Sequence, residues 1–220
     1  MIPLRDINPT RRFPLVTVGI IGLNVLVFGF ELLSPSVDML NALVSSWGLV
    51  PYRLVHLEPL AFLTVFTSMF LHSGPAHLIG NMLYLWIFGD NLEGAMGSFR
   101  FTVFYLLCGI GAALGQVLVS PLSTVPMVGA SGAISGVLGG YLLLFPRAEV
   151  ETLVFLGYFL RLVRLPAVVV LGLWIILQLF SGLMSLDMVA TGGVAWFAHI
   201  GGFVVGILLV GLFRRRRWWE

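Results

Sequence analysis

Four side chains in this 220-residue chain have the types and spacing to do chemistry: Ser131, His199, His77 and Asn81. A serine hydroxyl becomes a nucleophile when a base takes its proton, and histidine is the usual base. The tetrahedral intermediate that follows needs donors aimed at its oxyanion. An asparagine amide, a histidine and backbone N–H groups supply them. His77 and Asn81 stand four apart, so they share one face of a helix. Ser131 lies in Gly129-Ala130-Ser131-Gly132, which reads as a loop-to-helix turn. Glycines permit the tight turn, and the helix N-terminus adds free N–H groups and positive potential beside the nucleophile. No Asp or Glu stands near His199, since Asp187 falls in the preceding connection. The chemistry indicated is acyl transfer by a Ser–His dyad without a carboxylate.

Positioning these groups falls to a bilayer. The chain is 59% hydrophobic and 10% charged, with mean hydropathy +1.02, whereas an ordinary soluble domain is about 25% charged. That balance excludes disorder, and the glycines lack the three-residue period of collagen. A membrane core of about 30 Å needs roughly 20 apolar residues as helix. The chain therefore reads as one domain over 1–220, an all-α membrane protein with six spans at about 14–33, 75–92, 99–119, 132–145, 165–183 and 194–213. The fourth is too short to cross alone. The mixed stretch 34–60 reads as an interfacial first loop.

Charge orients the bundle. There is no lysine, and eleven of the twelve arginines fall on one side of the six spans, with Arg53 alone opposite. By the positive-inside rule both termini are cytoplasmic. The run Arg214 to Arg217 is then a membrane flank, which leaves no basic face for nucleic acid. Cys108, the single cysteine, reads as a buried small hydrophobe and cannot form an internal disulfide or a cysteine metal site. No metal or cofactor is expected, and residues 1–12 lack the features of a cleavable signal.

Depth links the dyad. Ser131 and His199 each stand fourteen residues from the inner ends of their spans, at Phe145 and Phe213. At about 1.5 Å per residue both lie roughly 21 Å above the inner edge and roughly 9 Å below the outer surface. Small residues recur four apart at Gly111/Gly115, Gly132/Gly136/Gly140 and Ala198/Gly202/Gly206. Such rows let helices approach closely in lipid, so spans three, four and six should form the tight centre. Of the other polar groups, His72 reads as interfacial or supporting and His56 as a loop residue. Asn24, Gln116 and Gln178 read as interhelical hydrogen-bonding groups, and Ser135 as close packing.

These motifs resemble the rhomboid family of intramembrane serine proteases. Residues His72-Ser73-Gly74-Pro75-Ala76-His77-Leu78-Ile79-Gly80-Asn81 resemble its second-helix His…His-x-x-x-Asn. Gly129-Ala130-Ser131-Gly132 resembles its Gly-x-Ser-Gly. Ala198-His199 with Gly201, Gly202 and Gly206 resembles its last-helix histidine and glycine ridge. The resemblance covers about 10–215. It implies Ser131 as nucleophile and His199 as general base, with His77, Asn81 and the Ser131 N–H as oxyanion hole. It further implies cleavage of single-span membrane proteins near the outer face, with span five as a lateral gate. The setting expected is a prokaryotic cytoplasmic membrane. Two departures stand out. Position 135, often aromatic in the family and stacked on the histidine, is serine here. The Trp-Arg pair of some first loops is missing, since Trp47 is followed by Gly48 and Arg53 comes later. The competing reading is a non-catalytic relative or a carrier. It would show a missing catalytic residue or a charged path through the spans, and neither is seen.

Overall fold

The structure is a computed structural model that describes residues 1–10, 12–156, 159–186 and 193–215. Arg11, Asp187, Arg216 and Arg217 lie outside the described residues. The order is β1 (Ile2–Asp6), α1 (Leu15–Leu32), α2 (Val37–Trp47), α3 (Pro51–Val55), α4 (Ala61–Thr67), α5 (Pro75–Met96) and α6 (Ser98–Val119). Then follow α7 (Ser131–Leu144), β2 (Glu149–Leu156), β3 (Phe159–Pro166), α8 (Ala167–Ser185) and α9 (Trp196–Phe213).

A helix stands at each of the six expected spans. Among the described residues, α1, α6, α8 and α9 are long and apolar enough to cross a membrane. The other two explain themselves. Helix α5 has the length, at 22 residues, but carries Asp90, Asn91 and Glu93 near its C-terminal end. Helix α7 has 14 residues, and every one from Gly132 to Tyr141 is buried. A helix apolar all round belongs in the core, where it need not match the bilayer thickness.

Helix α9 packs along both α6 and α7. A Cβ on Gly206 would lie 2.6 Å from Cα and from the carbonyl carbon of Gly136, so only glycine allows the two backbones to meet there. The tight centre of spans three, four and six is therefore present. The stretch 34–60 is largely helical, holding α2 and α3. Ser36 opens α2 by accepting from the Met39 N–H at 3.2 Å, and no α2 residue is buried.

The all-α expectation is corrected. Strands β1, β2 and β3 form an antiparallel sheet in that order. Val150, Glu151 and Thr152 are buried in succession, and Glu151 accepts from Arg5 at 2.6 Å and from Arg164 at 3.1 Å. Pro3 sits in the edge strand β1, where its missing N–H costs the ladder least, and the register shifts between Pro3 and Arg5. Eight residues without a regular polar–apolar period, as in β2 and β3, are a weaker sequence signal than a roughly 20-residue apolar run.

The sheet belongs to a polar layer at one end of the bundle. Asp6 accepts from the Tyr141 hydroxyl at 2.6 Å and from Asn91 Nδ2 at 2.9 Å, which ties β1 to α7 and α5. Helix α1 has no side-chain cap of its own. Glu93 of α5 serves instead, accepting from the N–H groups of Val16 at 3.0 Å and Thr17 at 2.8 Å. These bonds carry α5 one turn past residue 92, to Met96. At the same end the Arg215 N–H donates to the Ala95 carbonyl at 2.9 Å.

Candidate active site

Ser131 is the first residue of α7. Its approach is fixed by Gly129, whose φ of +121° favours glycine and whose N–H donates to the Ser68 carbonyl at 2.8 Å. A Cβ on Gly129 would lie 2.7 Å from Cε1 and Nε2 of His77 and 3.6 Å from Asn81 Nδ2. The backbone leading to Ser131 thus runs directly against both side chains of the α5 pair.

His199 rises from α9 to meet Ser131. Its Nε2 lies 2.8 Å from Ser131 Oγ, across a sequence separation of 68. Its Nδ1 lies 2.8 Å from Gln178 Oε1 on α8. The ring is flanked by Trp174, centroids 6.0 Å apart, and by Trp196, 6.2 Å and perpendicular. Ser135 takes no part in holding the ring; its hydroxyl donates to the Ser131 carbonyl at 2.6 Å and is fully buried. The aromatic contact missing at position 135 comes instead from α8 and from the start of α9.

The α5 pair presents donors. The Ser73 N–H donates to His77 Nδ1 at 3.4 Å, and the Ser73 hydroxyl is 3.0 Å from the same atom. An accepting Nδ1 puts the proton of the neutral ring on Nε2, the atom beside Gly129. Asn81 Nδ2 is buried and has no hydrogen-bond partner in the structure. An unpaired buried donor costs about 1–3 kcal/mol, and it can be satisfied by an oxyanion in front of it. The first N–H groups of α7 likewise lack partners within their helix. A cavity of about 40 Å³ opens beside Ser131, lined by Ser68, Met69, Met127, Gly129 and Ala198. That space is large enough for a water molecule.

His72 lies behind the pair, with its ring 5.1 Å from that of His77. Its N–H donates to the Glu31 carboxylate at 3.1 Å, so α1 anchors the turn that enters α5. Burial, and then the neighbouring His77, push His72 down to about 4, which keeps the ring neutral. His56 stands apart from the site, stacked on Tyr52 in the first loop. Asn24 donates to the carbonyl of Ile20 within its own helix at 2.8 Å rather than to a neighbour. Gln178 is an interhelical hydrogen-bonding group, as the sequence suggests, but neither its partner His199 nor the flanking Trp174 is evident from the sequence. The available signal was that Gln178 is the strongly polar residue of the fifth span.

A hydroxyl bonded to an imidazole, with the unpaired Asn81 donor and His77 against the backbone two residues before it, is a constellation for attack on a carbonyl. The chain also matches the Rhomboid domain over residues 59–216. It belongs to the rhomboid family and is a multi-pass integral membrane protein. Among its relatives, RHOMBOID-like protein 4 of Arabidopsis thaliana is 34% identical over 139 residues, covering 63% of this chain and 31% of that protein. Rhomboid protein 1, mitochondrial, of Saccharomyces cerevisiae is 30% identical over 202 residues, or 86% and 51%. Rhomboid protease GluP of Bacillus subtilis is 45% identical over 76 residues, or 34% and 14%. The chain spans about half or less of the length of these three relatives.

Proposed function

We propose that this chain is an intramembrane serine endopeptidase that cleaves membrane protein substrates through a Ser131–His199 dyad. The observation that carries the reading is the 2.8 Å bond between Ser131 Oγ and His199 Nε2. As Oγ attacks the scissile carbonyl, Nε2 takes the hydroxyl proton. The oxyanion is met by Asn81 Nδ2, His77 Nε2 and the Ser131 N–H. Collapse of the intermediate breaks the C–N bond, and Nε2 returns the proton to the leaving amine. A water activated by the same imidazole then hydrolyses the acyl-enzyme. The name of GluP, a rhomboid protease, agrees with this activity.

The spans are α1, α5, α6, α7, α8 and α9, with both termini cytoplasmic. Support comes from the polar layer, which gathers β1, the inner end of α5, β2, β3 and Arg215 at one end of the bundle. Arg5, Arg164 and Arg215 all belong to that layer, as the positive-inside rule requires of the cytoplasmic side. Ser131 and His199 then lie in the outer half of the membrane. Cutting there suits a single-span substrate entering from lipid.

The test is Ser131→Ala in detergent or proteoliposomes, read by cleavage of a transmembrane reporter and by labelling with a fluorophosphonate. Both signals should vanish while the thermal midpoint holds. Cleavage that survives in Ser131→Ala would overturn the assignment of the nucleophile.

A further inference from the structure

We propose that Gln178 is a positioning residue for His199, selecting the imidazole tautomer that leaves Nε2 free to accept the Ser131 proton. The proposal rests on the dyad reading above and deepens it. An amide has one accepting and one donating end, and its surroundings decide which faces where. Gln178 Nε2 lies 3.3 Å from the Trp174 carbonyl oxygen one turn back on α8. A carbonyl only accepts, so the NH₂ end faces it and Oε1 faces His199 Nδ1 at 2.8 Å. The reverse orientation would set Oε1 against the Trp174 carbonyl, two acceptors in contact. Since Oε1 only accepts, Nδ1 carries the proton. The neutral ring has one such proton, so Nε2 presents its lone pair to Ser131 Oγ. The donors then run in one direction: Ser131 to His199, His199 to Gln178, Gln178 to Trp174.

An amide fits this site for a physical reason. It fixes the tautomer, as a carboxylate would, without the desolvation cost of a charge held among apolar helices. It also ties the base to one helix. The buried residues of α8 are Ala167, Val170, Leu171, Gln178 and Gly182, and Ile176, Leu177 and Phe180 are exposed to lipid. Gln178 is the polar member of that buried face, so His199 holds its tautomer only while α8 is docked.

The test uses the full chain in detergent. Gln178→Met keeps length and apolar character but removes the acceptor, and Gln178→Glu restores an acceptor. Turnover and KM are read on the transmembrane reporter. The tautomer is read by nitrogen NMR of 15N-histidine protein, with the His199 signals assigned by their loss in His199→Gln. The wild type should carry its proton on Nδ1. In Gln178→Met the signals should move toward the other tautomer, and kcat should fall roughly 10- to 100-fold with KM within about twofold, a smaller loss than a triad forced into the wrong tautomer suffers. Gln178→Glu should restore the Nδ1 proton. A wild-type proton on Nε2, or an Nδ1 proton retained in Gln178→Met, overturns the proposal. Because the NMR readout needs no turnover, it judges Gln178 even if Ser131→Ala were to remain active.

Discussion

Replacing Gly206 by alanine should disable the site from two helical turns away. Gly206 follows His199 by seven residues on α9 and meets Gly136, five residues after Ser131 on α7. The new Cβ would begin 2.6 Å from two backbone carbons of Gly136, whereas carbon atoms settle about 3.5–4.0 Å apart. Backbone cannot rotate aside like a side chain, so the helices must part by about 1 Å. Carried up to the dyad, that stretches the 2.8 Å bond of Ser131 and His199 to about 3.8 Å, beyond hydrogen-bonding distance. A misplacement of about 1 Å costs on the order of 10²-fold in rate, and overpacking costs about 1–3 kcal/mol of stability. The control is Gly211→Ala on the same helix, where a Cβ meets nothing within 4 Å. Both variants are assayed for turnover of a transmembrane reporter, fluorophosphonate labelling and thermal midpoint. Gly206→Ala should stay folded at a lowered midpoint and cleave roughly a hundredfold more slowly, while Gly211→Ala matches wild type. Wild-type turnover in Gly206→Ala, or equal damage in Gly211→Ala, would refute the idea that backbone contact sets the dyad distance.

Asn81→Ala should lower kcat by about 10²–10³-fold, the loss typical of one oxyanion donor, and leave the thermal midpoint unharmed because Nδ2 bonds nothing in the resting site. A variant that turns over at the wild-type rate would remove Asn81 from the site. Asp6 should make stability fall as pH rises. Burial pushes its carboxyl up to about 6, with Asp90 adding to the rise and the Tyr141 hydroxyl opposing it. A carboxyl raised on folding stabilises fully at pH below its unfolded value near 4, and that contribution is lost as pH climbs through about 6. The thermal midpoint of wild type relative to Asp6→Asn should therefore decline between pH 4.5 and 7.5, and a flat difference would contradict this account.

The helices were legible because lipid writes them plainly. Pro14, Pro75 and Pro166 stand at or just before the starts of α1, α5 and α8, and long apolar runs fill most of what lies between. The meeting of Ser131 and His199 was also legible, since equal distance from the C-terminal ends of α7 and α9 is simple arithmetic on helix rise. The sheet was not. Its short strands carry no regular polar–apolar alternation, Pro3 argues against a strand, and β1 and β2 lie far apart along the chain. Gln178 was visible as a polar residue but not as a partner of His199. That contact depends on the rotation of α8 about its axis, which a nearly uniform apolar sequence leaves unmarked.

The pairing of β1 with β2 has a consequence for biosynthesis. Arg5 and Glu151 bond across a separation of 146 residues. At ribosomal speeds of about 5–20 residues per second, the first strand waits roughly 7–30 s for its mate. On the six-span arrangement proposed above, four helices, α1, α5, α6 and α7, are threaded in that interval. The strands can join only if those threadings return the chain to the side where it began. One helix left unthreaded would strand β2 across the bilayer from β1. On that arrangement, closing the sheet is a molecular parity test on membrane insertion.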